Sequence, residues 1–412
     1  TRGAVRQDRP SFLHRNYWEV NAMKQSVHRP RDIRVIAISR LISEMGDEMA
    51  LIALLFRVKS SGPAAISAIF ALFALSRIIF APISGSIVDR FASRRLIASV
   101  SVVQTLVAIC LAFSNGFSLY VFVFILAIGA SIIGPAWQAL IPVLVPANEL
   151  SRTYAFIQTH RSFSIVLGAG LGGFLVEKFG TSTALLIDAG TFFVVGVFGA
   201  TLRNERKPDL GSFSKRESVQ GFKRIFTAPV LIASIVLLAA FNMAAGVNEV
   251  LGVFLITDTL HGTASQYGLV FSALGVSMLI TGFTLSRIQI QFRDTHALVI
   301  SAIISALGMF MYGLSPNVGA AMAAFALNGI GLTGLHVFGT PIIIRHTSEA
   351  ERGRVFAASS SITTAGTLLS TGIAGSLGQL FPIRIVITCS AITCGILALL
   401  AGASIIRTER KT

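Results

Sequence analysis

Apolar residues in this chain of 412 come in long runs, and the polar stretches between them are short and rich in arginine and lysine. A helix rises 1.5 Å per residue, so about 20 apolar residues cross a hydrocarbon layer about 30 Å thick. Runs of that kind fall at 34–57, 64–87, 95–114, 118–141, 152–176 and 181–202, and again at 228–257, 266–287, 297–314, 318–343, 355–380 and 383–406. Strands of a membrane barrel would be about half as long and would alternate in polarity. The pattern predicts an all-α membrane protein with twelve transmembrane helices.

The stretch RNERKPDLGSFSKRESVQGFKRIFT, residues 203–227, divides the runs into two groups of six. The expected organisation is a basic N-terminal extension (1–33), a six-helix bundle (34–202), a linker (203–227), a second six-helix bundle (228–406) and a short tail (407–412). Sliding the chain by 201 positions lays DEMALIALLF (47–56) on NEVLGVFLIT (248–257) and matches Glu48 with Glu249, Phe70 with Phe271 and Ser76 with Ser277. Sliding by 202 matches Glu149 with Glu351, Arg152 with Arg354, Gly170 with Gly372 and Gly173 with Gly375. Each match alone is weak. A nearly constant offset of half the chain, held over several helices, reads as an internal repeat.

Composition agrees with a membrane protein: 53% of residues are hydrophobic and 13% charged, against roughly 25% charged in an average soluble domain. Mean hydropathy is +0.74. The net charge of +15 does not indicate nucleic acid, because the basic residues form no aromatic-interleaved stripe. They mark orientation instead. With the N-terminus inside, 27 of the 34 Lys and Arg residues lie in inside segments, four (Arg57, Lys59, Lys178, Arg384) lie outside and three lie within spans. That is the bias of cytoplasmic loops, so both termini are expected in the cytoplasm. Residues 1–32 carry no apolar core, so no cleavable signal peptide is visible. Cys110, Cys389 and Cys394 all lie in apolar runs and read as buried thiols, not as a disulfide or metal framework.

Between the second and third runs lies GSIVDRFASRR, residues 85–95. Together with the two six-helix repeats and the basic linker, this stretch resembles the major facilitator superfamily signature Gly-x-x-x-Asp-Arg-x-Gly-x-Arg-Arg. Gly85, Asp89, Arg90, Arg94 and Arg95 match, and Ala92 stands where the family usually has glycine. SEMGDEMALIA (43–53), GPAWQALIPVLVPANEL (134–150) and RGRVFA (352–357) are similar to the bacterial branch that holds macrolide-type drug exporters and the enterobactin exporter. The resemblance implies alternating access, with the Asp89 loop acting as a latch of the cytoplasmic gate. The alternative is that its three arginines only fix topology.

Charges inside spans are costly, so they are functional candidates by default. Arg40, Glu44, Asp47 and Glu48 share a face of the first helix, and Glu44 comes out at the depth of Arg77, with which it is expected to pair. Asp47 and Glu48 lie deeper, with Asn248 and Glu249 as their repeat mates, and only one of the adjacent pair is expected to face a cavity squarely. A carboxylate enclosed without a fixed counter-charge can take up and release a proton, which is what proton coupling needs. Arg40, Glu44 and Arg77 read equally well as a structural network. His160, Arg161 and His336 are weaker candidates for the same cavity, while Asp188 reads as structural, on a helix that is peripheral in the family the chain resembles. Gly168, Gly170, Gly172 and Gly173 in GAGLGG are similar to an antiporter motif with Ala169 in place of proline, and glycines so spaced let helices approach closely.

No Walker-type phosphate loop, GxSxG elbow or Cys/His cluster with ligand spacing is present. Neither cofactor, metal nor enzymatic activity is therefore expected. The reading is a secondary active transporter of the bacterial inner membrane, a monomer whose partners are a small-molecule substrate, protons and the lipid bilayer, with no nucleic acid. Export of a small amphiphilic compound stands first. Import, lipid or siderophore carriage and a non-transporting sensor of the same fold remain open.

Overall fold

The computed structural model describes residues 30–144, 150–202, 229–288, 294–347 and 349–409. Its helices are α1 (Pro30–Val58), α2 (Pro63–Arg90), α3 (Ser93–Phe113), α4 (Phe117–Leu144), the run Leu150–Thr201 that holds α5 and α6, α7 (Pro229–Phe254), α8 (Ala264–Arg287), α9 (Asp294–Gly313), α10 (Val318–Arg345), α11 (Glu349–Leu380) and α12 (Ile383–Glu409). The run Leu150–Thr201 breaks at Gly180, where φ is 82° and ψ 167°, so α5 is 150–179 and α6 is 181–201. Only glycine takes that backbone conformation without a steric cost, and one residue therefore turns the chain. The linker 203–227 and most of the N-terminal extension lie outside the described residues.

Local chemistry sets the starts. Pro63 opens α2 directly after Gly62, where proline's missing N–H costs nothing. Thr263 and Gln266 form a reciprocal capping box at the start of α8, and the Asn317 side chain caps α10 by accepting from the Ala320 N–H at 2.9 Å.

Packing is inverted relative to a water-soluble protein. Phe117, Leu380 and Phe113 stand 83%, 75% and 70% exposed, while Ser39, Ser76, Gln104 and Asn328 are buried. Lipid accepts the apolar outer face, and buried hydroxyls and amides bond within the bundle. The cysteines follow this logic and correct the sequence expectation: Cys394 is buried, but Cys110 and Cys389 lie on exposed, apolar faces. Nine stretches among the described residues are long and apolar enough to cross a membrane by length and composition. They are fewer than the helices because α5 and α6 register as one stretch, α1 carries four charges within residues 40–48, and α11 is rich in serine and threonine.

The two halves, α1–α6 and α7–α12, meet along α2 with α11 and along α5 with α8. The offset that revealed the repeat also relates these two contacts. Gly173 of α5 lies against Ala264 and Gly268 of α8, and Gly375 of α11 lies against Ala64 and Ser67 of α2. Shifting 173 by 202 gives 375 and shifting 67 by 201 gives 268, so one contact is made twice. Ser67 donates to the Thr371 carbonyl at 2.6 Å and Ser272 to the Val166 carbonyl at 2.7 Å. These ties lie toward the end of the bundle that carries Lys59. There Lys59 also pairs with Asp258 and Phe56 packs edge-on to Tyr267 at 5.8 Å. Toward the Arg90 end, the position a Cβ would take on Gly85 of α2 has no heavy atom of another helix within 4 Å among the described residues.

Candidate functional site

Between the halves lies a cavity of ≈ 410 Å³, walled by α1, α2, α3, α4, α6, α7 and α11. Five charged side chains reach it: Asp47 and Glu48 from α1, Arg77 from α2, Asp188 from α6 and Glu249 from α7. Glu48 and Glu249, matched by the repeat, thus stand on one cavity from opposite halves. Asp47 and Arg77 are exposed there, and Glu48 and Glu249 are half-buried.

Three sequence expectations change here. Asp47 and Glu48 both line the cavity, because it wraps around α1 widely enough to take residues about 100° apart on the helix. Asp188 also lines it, although it was expected to be peripheral. The reason is local: a Cβ on Gly46 of α1 would come within 2.5 Å of Asp188 Oδ1, so only glycine lets α6 lie this close. Thr191 steadies the acid, donating at 2.7 Å to the Asp188 carbonyl and at 3.2 Å to its Oδ1. Finally, Glu44 does not pair with Arg77. Arg40 takes it one helical turn away, with Nη2 at 2.7 Å and Nε at 3.2 Å from Glu44 Oε1, and the intrahelical spacing makes this the nearer partner.

The remaining candidates fall elsewhere. Arg40 and Glu44 do not line the cavity, nor does Asn248, which is buried and donates at 3.2 Å to the Ala244 carbonyl. His336 is exposed on α10, its Nδ1 2.9 Å from the Leu332 carbonyl. His160 and Arg161 belong to α5, but their side chains lie outside the described residues, as does that of Asp89. Arg90, Arg94 and Arg95 are exposed around the short turn at Phe91 and Ala92. The GAGLGG glycines serve two neighbours. A Cβ on Gly168 or Gly172 would lie 2.8 Å from Glu48 Cβ or Met49 Cα of α1, whereas Gly170 and Gly173 face α8.

Sequence reasoning missed the polar but uncharged part of the wall: Gln104 of α3, Asn242 of α7, and Thr363, Thr364, Thr367 and Thr371 of α11. A signal existed in ASSSITTAGTLLSTG (358–372), a hydroxyl-rich stretch in a span that has no need of it.

Two six-helix repeats that enclose a charged cavity and are tied together at one end define a multi-pass membrane transporter. The family model described as Major Facilitator Superfamily matches residues 36–255 and 243–412. The chain belongs to that family. It is 24% identical over 400 residues to the uncharacterized MFS-type transporter YfiS of Bacillus subtilis, covering 90% of this chain and 92% of that one. It is 23% identical over 280 residues to Multidrug resistance protein 2 of Bacillus subtilis, covering 65% and 67%. Among solved structures the nucleoside transporter NupG superposes with a TM-score of 0.73 at 12% identity, covering 90% of this chain and 98% of that one, a likeness of fold.

Proposed function

We propose that the protein is a proton-coupled exporter of a small amphiphilic compound, working by alternating access in the bacterial inner membrane with both termini in the cytoplasm. The observation that carries this is the placement of Glu48 and Glu249, with Asp47 and Asp188, on one cavity between the halves. Carboxyl groups enclosed there change charge when they take up a proton, and a charge change in a cavity shared by two bodies biases their relative arrangement. Similarity to a protein named for multidrug resistance favours export over import. With the Lys59 end outside, as the arginine and lysine distribution requires, the halves are tied on the outer side and the cavity faces the cytoplasm. Asp89, Arg90, Arg94 and Arg95 then sit at the cytoplasmic gate, where Asp89 latches the opposite state. The gap beside Gly85 is where the other half approaches on closure.

The test is flux in proteoliposomes. Asp47→Asn, Glu48→Gln or Glu249→Gln should abolish transport driven by a pH gradient in at least one case while sparing energy-independent exchange, since an amide keeps the shape but cannot change charge. Wild-type pH-driven rates in all three would remove the coupling reading.

A further inference from the structure

The cavity wall is rich in hydrogen-bond acceptors, and most of its hydroxyl protons are already committed. Three of the four lining threonines spend their protons on their own helix: Thr363 donates to the Ser360 carbonyl at 2.9 Å, Thr367 to the Thr363 carbonyl at 3.1 Å and Thr371 to the Leu368 carbonyl at 3.0 Å. Asn242 commits one of its two N–H groups in the same way, its Nδ2 donating to the Leu238 carbonyl at 2.7 Å. A hydroxyl whose proton is committed presents only lone pairs to a ligand, while the Asn242 amide keeps its carbonyl oxygen and a second N–H. Gln104 adds to the imbalance: it is 3% exposed, its Nε2 donates to the Leu126 carbonyl at 3.4 Å, and its buried Oε1 has no partner among the described residues. An unpaired buried acceptor costs free energy that an incoming or relayed N–H recovers.

Charge points the same way. Four carboxyl groups (Asp47, Glu48, Asp188 and Glu249) face the cavity against the single guanidinium of Arg77. Phe70, Phe73 and Phe192 line it as well, with Phe70 and Phe73 edge-on at 6.4 Å. Aromatic surface of this kind accommodates both an apolar body and a cationic head.

We infer that this cavity selects an organic cation: a compound with a protonated amine bearing N–H donors and an aromatic or aliphatic body, with Asp188 and Asp47 receiving the ammonium group. An anionic compound would set its charge against four carboxyl groups and its acceptors against committed hydroxyls. A neutral alcohol would lose the charge–charge attraction. The inference rests on the reading that this cavity carries the transported compound. It goes further in naming what distinguishes one amphiphile from another, and in assigning specificity to Asp188, a residue the sequence reads as structural.

The experiment is equilibrium binding to the purified full chain in detergent, using three probes that share a 4-phenylbutyl tail and end in ammonium, hydroxyl or carboxylate. The ammonium compound should bind about tenfold tighter than either of the others, about 1.4 kcal/mol. Asp188→Asn and Asp47→Asn should each narrow that gap. The proposal is overturned if the hydroxyl or carboxylate compound binds as tightly as the ammonium compound, or if none of them binds. The wild-type series decides this even if a variant fails to fold. Ammonium preference without flux in a pH gradient would remove the coupling reading and leave this one standing. Flux in a pH gradient confined to the carboxylate or hydroxyl compound would do the reverse.

Discussion

The Glu177 carboxylate, at the end of α5, accepts a hydrogen bond of 2.9 Å from the backbone N–H of Ser265 in the first turn of α8. It is an acid of one half capping a helix of the other, where the helix dipole favours negative charge. Lys59 and Asp258 tie the halves again at the same end. Both ties are exposed, and exposed pairs contribute about 0 to 1 kcal/mol each. Glu177→Gln combined with Asp258→Asn should therefore shift the closed population by roughly thirtyfold at most. Spin-label distances between Asn115 and Pro316 positions, read in detergent, should lengthen on average. An unchanged distribution would show that apolar packing alone closes this end.

The same acid makes a prediction about pH. Hydrogen bonds from Thr263, and then from Ser265, hold the Glu177 carboxyl down to about 2, well below the ordinary carboxylate range. Because the folded-state value is depressed, the tie is present in full above the ordinary carboxylate range and is lost only as pH falls through that range toward 2. Glu177 therefore stays charged at working pH. The pH–rate profile of Glu177→Gln should overlay that of the wild type between about pH 5 and 8 after scaling, and a displaced profile would contradict this.

Gly173 and Gly85 should respond differently to alanine. A Cβ at Gly173 would press on the Ala264 carbonyl and lie 3.1 Å from Gly268 Cα, backbone that cannot step aside. Overpacking of this sort costs about 1–3 kcal/mol, so Gly173→Ala should lower the Tm by several degrees in a thermal melt. Gly85→Ala meets no other helix within 4 Å among the described residues and should melt with the wild type. Its flux should nonetheless fall, as should that of Asp89→Asn, if the cytoplasmic gate closes over this helix end.

Orientation can be checked separately. A cysteine at Ser118, exposed at the start of α4, should be labelled by an impermeant thiol reagent from outside, and one at Ser212 in the linker should not. The opposite pattern would reverse the topology and with it the assignment of the gate.

Spans and repeat were legible in the sequence because each rests on a strong one-dimensional signal: apolar length, basic loops and a fixed offset. The cavity was legible only where it is charged. Asp47, Glu48, Arg77 and Glu249 stand out in apolar runs, whereas Thr367 and Gln104 do not, since hydroxyls and amides in a span also serve contacts between helices. Asp188 was visible but misplaced. Its position depends on Gly46, a residue 142 positions away on another helix, and helix-to-helix distance leaves no trace in local spacing. The Arg40–Glu44 pair shows the converse, in that a neighbour one turn away prevailed over a partner chosen by depth.

The duplicated contact, Gly173 on Gly268 and Gly375 on Ser67, has a mechanical consequence. A body held at two equivalent bearings cannot swing open at one and stay shut at the other without twisting. Both bearings are therefore expected to loosen together, which disfavours half-parted arrangements.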